Sequence, residues 1–354
     1  MMSFYRYFLG FAKVTHVMVV TGKALLRNLI KKPHLYVSTN STPGLLTTIR
    51  KKYFYRVSPL CPWKRFRYPS VMRIEGEEKI VFYSNWKSQW DLYSAILNKS
   101  KLDNLRRITF NGSNYGPKIY YSQENRKYFL IWHRVAEKNR TVCRKILISE
   151  SLDFIKWSEP LIIGEKQDNC YPSLIFCKGM PHIVYSAGQG LYQKNKALFL
   201  CALENPHELI SIKVGEFSNA WRSDVAQYEQ KYYCAFENPE GIVVAQSENL
   251  EKWVHSASFK GSFHRPRLSL SQDKKTLYLC FELSNQTRGT KDLCFTILTP
   301  DNGRKIVQIT DDEFDNSRPG PLMQIENNKY KVFYTSNCMG LNSLSCVEFI
   351  WNSD

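Results

Sequence analysis

The sequence has no acidic residue over a long stretch at its start. Residues 1–74 contain 14 Lys and Arg and no Asp or Glu, whereas the other 280 residues carry 35 basic and 32 acidic side chains. The formal charge of +17 therefore belongs to the N-terminal segment and not to the body of the chain. A nearly neutral body without helix-turn-helix, RNP or zinc-finger patterns argues against a nucleic-acid partner.

Long apolar runs are missing as well. Residues 3–32 contain no uninterrupted apolar span of the eighteen or so residues that a bilayer-crossing helix needs. Their cations recur at sums of three- and four-residue steps, which predicts a basic amphipathic helix within residues 1–33 that ends at Pro33. Such a helix could lie on an anionic membrane surface, pack on the body or serve as a removable transit peptide. A secretory signal fits poorly, because charges interrupt the apolar region.

Paired cysteines and cofactor motifs are also absent. The ten cysteines stand singly, without a CxxC or Cys/His metal pattern, and the chain has no glycine-rich phosphate loop. We therefore expect no metal and no cofactor. Several cysteines lie in apolar runs such as "LIFCKG", which indicates small buried hydrophobes in a reducing compartment, although disulfides remain an alternative. The expected location is the cytoplasm, with peripheral membrane contact through residues 3–32.

A repeat occupies the rest of the chain. Six short openers begin its units: "RYPSVM" at Pro69, "YGPKIY" at Pro117, "CYPSLI" at Pro172, "WRSDVA" at Ser223, "HRPRLS" at Pro266 and "RPGPLM" at Pro321. Each opener is followed by a second run that ends in an aromatic and then a polar residue: "VFYS", "LIWH", "IVYS", "CAFE", "LCFE" and "VFYT". A third apolar run follows in every unit, and a fourth in all but the last.

Repeat units with four short β-rich runs are typical of propeller blades, because one four-stranded sheet must stack on its neighbours to bury both faces. The sequence predicts an all-β fold, a β-propeller of five to six four-stranded blades over residues 66–354, preceded by the basic amphipathic helix. Residues 34–65 would be a basic linker that also supplies the missing fourth strand, either "HLYVST" (34–39) or "YFYRV" (53–57).

A shorter pattern occurs twice within this repeat. The first copy consists of Ser151, Asp153 and Trp157, and the second consists of Ser247, Asn249 and Trp253. The pattern resembles the turn in glycoside hydrolase propellers of the arabinanase and xylosidase type (family 43), the invertases and the mannoside phosphorylases. The resemblance covers residues 66–350 and implies that the Ser and Asp cap a hairpin while the Trp packs between blades.

The catalytic carboxylates of those families do not carry over. At the positions where the resemblance would place acids or their neighbours, the chain has Tyr68, Lys118 and Tyr171. The acid that remains near an opener is Asp224. The opener "FRYPSV" with Arg67 loosely resembles a sialidase opener, but the sialidase Asp boxes are missing. The resemblance therefore specifies the architecture more strongly than the chemistry.

The openers and the ends of the second strands should surround the axis and supply the central groups. The predicted catalytic residues are Asp224, Glu237 and Glu282. The predicted substrate-binding residues are Arg67, Lys118, His133, Arg222, His264, Arg265 and Arg318. So many cations favour an anionic ligand held with bidentate geometry, although the arginines could instead pair with the carboxylates as internal struts.

The leading hypothesis from the sequence is a carbohydrate-active propeller, glycoside hydrolase-like or phosphorylase-like, that acts on an anionic or phosphorylated glycan. Glycoside hydrolysis would need two carboxyl groups, whereas a phosphorylase would need one protein acid and a bound phosphate. The alternatives are a catalytically inactive propeller that binds a glycan or a protein, and an accessory factor or transferase in membrane-associated polysaccharide synthesis.

Overall fold

The computed structural model describes most of the chain from residue 65 onward and two short segments before it. The described residues are 36–38, 50–55, 65–85, 89–98, 101–138, 141–164, 168–188, 196–208, 210–214, 219–287, 289–298, 306–310, 315–326, 328–337 and 343–351. The helix predicted for residues 1–33 lies outside them. Within the described residues, no helix is long and apolar enough to cross a membrane.

The described strands form six antiparallel sheets, one for each predicted repeat. Two strands precede the repeats, β1 (Tyr36–Ser38) and β2 (Arg50–Tyr55). Blade 1 contains β3 (Phe66–Ile74), β4 (Glu77–Ser84), β5 (Asp91–Asn98) and β6 (Lys101–Arg107). Blade 2 contains β7 (Asn114–Ser122), β8 (Lys127–Lys138), β9 (Thr141–Ser151) and β10 (Leu161–Ile163). Blade 3 contains β11 (Asp168–Cys177), β12 (Met180–Gly188), β13 (Ala197–Ala202) and β14 (Ile210–Ile212).

The remaining blades follow the same plan. Blade 4 contains β15 (Trp221–Tyr228), β16 (Lys231–Asn238), β17 (Gly241–Ser247) and β18 (Val254–Lys260). Blade 5 contains β19 (Phe263–Leu270), β20 (Leu277–Asn285), β21 (Thr290–Ile297) and β22 (Val307–Gln308). Blade 6 contains β23 (Asn316–Ser317), β24 (Leu322–Glu326), β25 (Lys329–Ser336) and β26 (Ser343–Ile350). The predicted all-β propeller is confirmed, and it has six blades.

Blade 6 is completed from the N-terminal side of the chain. Strand β2 pairs antiparallel with β26, so that Lys51 lies opposite Glu348 and Tyr55 lies opposite Leu344. Strand β1 then pairs with the free side of β2. The sheet therefore joins residues from both ends of the described chain, and this pairing closes the ring next to blade 1.

The hydrophobic core is divided among the six contacts between neighbouring blades. Each of six buried clusters combines side chains from two adjacent sheets. In the cluster that joins blades 6 and 1, for example, Phe333 and Cys346 pack with Phe82 and Tyr93. Because both faces of every sheet pack on a neighbour, the strands are apolar on both faces in their middle sections.

The predicted role of the repeated Ser, Asp or Asn, and Trp pattern is confirmed. Asp153 Oδ1 accepts hydrogen bonds at 2.8 Å from the backbone N–H groups two and three positions later, and Asn249 Oδ1 does the same at 3.1 Å. Trp253 is 6% exposed and packs in the cluster between blades 3 and 4. These residues therefore stabilise the hairpin between the third and fourth strands.

The described cysteines are all free thiols, as the sequence led us to expect. They are Cys143, Cys170, Cys177, Cys201, Cys234, Cys280, Cys294 and Cys346, and six of them are buried. Cys280, Cys294 and Cys346 lie in strands whose faces contact neighbouring blades. They act as small apolar side chains in the core.

Candidate functional site

The first strand of each blade is irregular at the same place. One residue there has a positive φ: Tyr68 (54°), Gly116 (59°), Tyr171 (53°), Arg222 (50°), Arg265 (52°) and Arg318 (56°). In blades 1 to 5 the pairing with the second strand shifts at this residue, as it does in a β-bulge. A left-handed conformation of a residue other than Gly costs on the order of 1 kcal/mol, so five such residues mark a repeated feature. We call these six residues the axial ring.

The axial ring corrects the position of the last opener. The sequence pattern placed it at Pro321, but the residue that corresponds to Pro69 or Pro266 is Pro319, directly after Arg318. The motif "RPGP" contains two prolines, and the pattern alone could not distinguish them. With this correction, the ring residues of three consecutive blades, 4 to 6, are all arginines.

The three ring arginines surround the side chain of Tyr68. Arg265 Nε donates a hydrogen bond to Tyr68 Oη at 3.1 Å, and the Arg318 guanidinium carbon lies 5.2 Å from the centre of the Tyr68 ring. Burial raises the pKa of Tyr68, but the positive charges of Arg265, Arg318 and Arg222 outweigh it and lower this pKa to about 7. The Tyr68 hydroxyl can therefore ionise at neutral pH.

Two buried carboxylates hold the ring arginines in place. Glu237 and Glu282 lie in the C-terminal halves of the second strands of blades 4 and 5 and are 1% and 0% exposed. Arg222 Nη1 lies 3.0 Å from Glu237 Oε2, and Arg265 Nη1 lies 2.5 Å from Glu282 Oε2. Each carboxylate also accepts the backbone N–H of the next blade's ring residue, Arg265 for Glu237 and Arg318 for Glu282. The pairs therefore connect blades 4, 5 and 6 and fix the geometry of the arginines.

The centre nevertheless contains more cations than carboxylates. Arg67 joins the ring arginines: burial and the neighbouring positive charge of Arg318 lower the pKa of Arg67. In the described part of the chain, the Nε atoms of Arg67, Arg222 and Arg318 are buried without a hydrogen-bond partner. Buried donors are rarely left unpaired, and an anion with several oxygens could accept from more than one of these groups.

The electrostatics of Glu237 suit a base better than an acid. Burial raises its pKa, but the hydrogen bond from His264, the charge of Arg222 and the backbone N–H of Arg265 together lower it below the usual value. His264 Nδ1 lies 3.5 Å from Glu237 Oε2, and Trp221 Nε1 donates to the same oxygen at 2.7 Å. Glu237 is therefore ionised at neutral pH.

Aromatic rings line the other half of the centre, in blades 1 to 3. The contacts between ring centres are Tyr68 to Tyr83 (5.6 Å), Tyr83 to Trp90 (5.2 Å), Tyr83 to Tyr115 (5.3 Å), Tyr115 to His133 (6.0 Å) and His133 to Tyr171 (5.4 Å). Arg67 lies over the Trp90 ring at 5.4 Å. The centre is thus cationic on the side of blades 4 to 6 and aromatic on the side of blades 1 to 3.

Asp224 and Lys118 lie in a different buried cluster. Lys118 Nζ is 2.7 Å from Asp224 Oδ1, which is also 3.7 Å from Arg267 Nη1, while the Leu268 backbone N–H donates to Asp224 Oδ2 at 2.9 Å. Burial lowers the pKa of Lys118 to about 8 although Asp224 partly opposes this effect. The cluster links blades 2, 4 and 5, which is the arrangement of an internal strut.

The structure therefore groups the predicted site residues unevenly. The centre brings together Arg67, Arg222, His264, Arg265, Arg318, Glu237 and Glu282. His133 lies among the aromatic rings, and Asp224 pairs with Lys118 in the strut. Among the described residues, no group of three or more His, Cys, Asp and Glu side chains could hold a metal ion.

Tyr68 is a central residue that the sequence-based site prediction does not include. In the sequence it is a departure from a family acid, and this comparison does not relate it to the arginines. Alignment of the six openers on the residue before the Pro or Ser places Tyr68 in the same column as Arg222 and Arg265, and also as Arg318 once the last opener is set at Pro319. That column was the available signal.

No family model and no curated protein matches this sequence. Among solved structures, a protein of unknown function from Dyadobacter fermentans matches with a TM-score of 0.68 and 14% identity, over 88% of this chain and all of that one. The sialidase of Trypanosoma rangeli, in complex with the inhibitor DANA, matches with a TM-score of 0.56 and 10% identity over 90% of this chain. The chain has the fold of a glycoside hydrolase-type propeller.

At this level of identity the likeness of this chain to these structures concerns the fold alone. The chain spans 58% of the length of the sialidase chain that it matches. An α-L-arabinofuranosidase from Lactobacillus brevis is also found, with a TM-score of 0.48 and 12% identity, over 71% of this chain and 92% of that one.

Proposed function

We propose that this chain is a carbohydrate-active propeller that binds a carboxylated saccharide at its axis. The observation that carries the proposal is the convergence of Arg222, Arg265 and Arg318 on one central group, with buried Nε atoms of Arg222 and Arg318 unpaired among the described residues. A sugar carboxylate has two oxygens in a plane, which matches the fork of a guanidinium group.

The distribution of charge supports an anion over a neutral sugar. Glu237 and Glu282 each pair with one ring arginine, which leaves the charges of Arg67 and Arg318 without a carboxylate at hydrogen-bond distance in the described residues. A hydrogen bond to a charged group contributes about 1.5–3 kcal/mol, so two of them correspond to about 3–6 kcal/mol, or a dissociation constant between about 6 mM and about 40 μM.

The structural comparison gives independent support for the class of ligand. The matching Trypanosoma rangeli sialidase has been solved with sialic acid bound, and sialic acid is a carboxylated sugar. The two proteins share a propeller fold with 9% identical residues, so the support concerns the kind of ligand that such an axis can hold.

Calorimetric titration tests the proposal directly. The wild-type protein would be titrated with sialic acid, glucuronic acid, glucose 6-phosphate and neutral lactose, and the titrations repeated with Arg318→Met and Arg106→Met. Arg106 is an exposed arginine on the outer strand β6 and serves as the matched control. We expect a carboxylated sugar to bind and Arg318→Met to weaken it about tenfold or more. Equal binding of lactose, or an unchanged affinity in Arg318→Met, would refute the proposal.

A second candidate function, glycoside hydrolysis, is favoured by the lowered pKa of Tyr68. A phenolate held by Arg265 Nε at 3.1 Å is an activated nucleophile, and sialidases are the glycosidases that use a tyrosine in this role. Tyr68 Oη would form a bond to the anomeric carbon as the bond to the leaving oxygen breaks, and that oxygen would take a proton from water. The hydroxide left from this water would then form a bond to the anomeric carbon as the bond to Tyr68 Oη breaks, which releases the sugar and regenerates the phenolate.

Mass spectrometry can detect that covalent step. The sialidase of Trypanosoma rangeli has been solved as a covalent intermediate with 2,3-difluorosialic acid, and the same reagent can be incubated with this chain. Hydrolysis predicts an adduct on the peptide that contains Tyr68, lost in Tyr68→Phe but retained in Tyr228→Phe, whose hydroxyl donates to Lys275 O. Absence of the adduct together with retained sugar binding would make the chain a binding propeller without turnover.

We also propose that residues 3–32 bring the propeller to an anionic membrane surface. The support is the concentration of basic residues in a segment without acids. Flotation with vesicles that contain phosphatidylserine should be lost on deletion of residues 1–32 and should be absent with neutral phosphatidylcholine vesicles. Equal flotation of the full-length protein and of the protein without residues 1–32 would contradict the proposal.

A further inference from the structure

Phe110 is an exposed aromatic residue on the same face of the propeller as the axial ring. The axial-ring residue lies near the start of each first strand, so the first strand leads away from this face and the second returns to it. In blade 1 the end of β4 pairs with the start of β5, and the first half of β5 pairs with the end of β6. The loop 108–113 that follows β6 therefore lies on this side, which we call the axial-ring face, and it carries Phe110.

The position of Phe110 distinguishes it from the other exposed apolar side chains. Phe110 is 69% exposed. Within the part of the chain that the structure describes, the other large apolar residues of high exposure lie in turns or at strand ends toward the opposite face, as Leu152, Met180 and Val254 do. Single exposed apolar residues are common on protein surfaces. An aromatic one beside the axial ring needs a closer account of its surroundings.

The loop that carries Phe110 is held in place by Asp91, which is buried. Asp91 Oδ1 accepts hydrogen bonds from Thr109 Oγ1 at 2.9 Å and from Gly112 N at 3.0 Å, and Arg107 Nη2 lies 2.5 Å from Asp91 Oδ2. The guanidinium carbon of Arg107 lies in turn 4.9 Å from the centre of the Phe110 ring. The Phe110 ring is therefore packed on a fixed cation and still presents most of its surface to water.

Trp90 connects this loop to the centre of the propeller. Its backbone oxygen accepts a hydrogen bond from Asn114 N at 2.9 Å, and its ring contacts Tyr83 at 5.2 Å and the Arg67 guanidinium at 5.4 Å. Phe110 lies between two and three strand spacings from the first strand of blade 1, which is on the order of 10–14 Å. A single sugar at the axis does not reach that far, whereas a chain of sugars does.

We infer that Phe110 is an aromatic platform for an outer sugar of an oligosaccharide whose carboxylated sugar lies at the axis. This inference rests on the proposed function, because the ring arginines would hold the carboxylate. The face of a sugar ring that carries C–H groups is apolar and packs on an exposed aromatic ring, while the hydroxyl groups stay in water. The protein would then prefer a carboxylated oligosaccharide to the carboxylated sugar alone.

Calorimetric titration of Phe110→Ala tests the platform. The ligands are sialic acid with sialyllactose, and glucuronic acid with a hyaluronan tetrasaccharide, so that each carboxylated sugar is compared with a longer chain that contains it. Tyr68→Phe is the parent of every variant, because a protein without the Tyr68 hydroxyl cannot cleave the chain by the covalent step proposed above. Leu152→Ala is the matched control, since Leu152 is 73% exposed in a turn of the opposite face, and Phe110→Tyr retains an aromatic ring.

We expect the better oligosaccharide to bind the parent about three- to tenfold more tightly than its carboxylated sugar alone. Phe110→Ala should abolish this difference and leave the affinity for the single sugar within about twofold, whereas Phe110→Tyr and Leu152→Ala should keep the difference. Arg318→Met should weaken both ligands. Equal affinity of the parent for both ligands, or an unchanged preference in Phe110→Ala, would overturn the platform and leave the proposed function intact. Failure of all four ligands to bind would overturn the proposed function and the platform with it.

A measurement on Phe110 itself locates the contact. The aromatic resonances of protein labelled with ¹³C-phenylalanine would be recorded with and without saturating ligand, and the Phe110 signals assigned by their absence in Phe110→Ala. The inference predicts that these signals shift with the oligosaccharide and stay in place with the carboxylated sugar alone. Phe110 signals that do not move while the oligosaccharide binds would overturn it.

Discussion

Replacement of Tyr68 by Phe removes one hydroxyl from the centre of the arginine cluster. The pKa of Tyr68 in the folded protein is about 7, against an ordinary value of 10. A group whose folded pKa is lowered stabilises the folded state at high pH, and this stabilisation is lost as the pH falls through the folded pKa. At about 1.36 kcal/mol per unit, ionised Tyr68 contributes roughly 1.4 kcal/mol at about pH 8 and almost nothing below about pH 6.

Two measurements follow from this shift. The near-ultraviolet absorbance of tyrosinate should show one group with a midpoint near pH 7 in the wild-type protein, and this group should be missing in Tyr68→Phe. The difference in unfolding free energy between the two proteins should grow as the pH rises from about 6 to about 9. Tyr83→Phe is the control: Tyr83 stacks on Tyr68, but burial raises its pKa, so the neutral transition should persist.

A wild-type protein without a tyrosine that titrates between about pH 6 and 8 would refute this account of the centre. The same charges link Tyr68 to the ligand. Because a bound carboxylate and the Tyr68 phenolate compete for Arg265 and Arg318, the affinity for a carboxylated sugar should fall as the pH rises through about 7 in the wild-type protein. In Tyr68→Phe this dependence should be lost, and its persistence would mean that another group titrates.

Three further predictions concern the scaffold. Trp253→Ala should destabilise the protein by about 3–5 kcal/mol, because Trp253 is 6% exposed between two blades, and denaturant unfolding measures this. Asp224→Ala should cost about 3–5 kcal/mol by leaving the Lys118 charge buried without its carboxylate, while Lys118→Met combined with Asp224→Leu should recover part of the loss, because Arg267 and the Leu268 N–H still lack Asp224; equal stability of the single and double variants would contradict the strut. Deletion of residues 1–55 should lower the melting temperature or cause aggregation by exposing β26, whereas deletion of residues 1–33 should not.

The architecture could be predicted because its signals are local. Each blade repeats an opener and a second strand of 8 to 12 residues, and the turns around Asp153 and Asn249 hold their own backbone within three residues. The period of the pattern and the identity of the turn residues therefore specify a blade without knowledge of its neighbours. The ambiguity between Pro319 and Pro321 arose where two prolines compete for one position.

The chemistry of the centre could be predicted only in part, because it depends on groups far apart in sequence. Tyr68 has an ordinary pKa in an isolated strand, and the charges that lower it come from residues 222, 265 and 318. Charge alone likewise could not separate Asp224, which pairs with Lys118, from Glu237, which pairs with Arg222. All four lie near openers or second-strand ends, and only the fold assigns each carboxylate its cation.

The pairing of β2 with β26 has a consequence for the synthesis of the chain. Residue 51 leaves the ribosome almost three hundred residues before its partner in the sheet, residue 348. Until then β2 has no strand to join, and the unpaired edges of the growing propeller can associate with other chains. Contacts of such long sequence separation also slow folding. The N-terminal segment must therefore remain accessible throughout translation, and anything that binds it early would delay the closing of the ring.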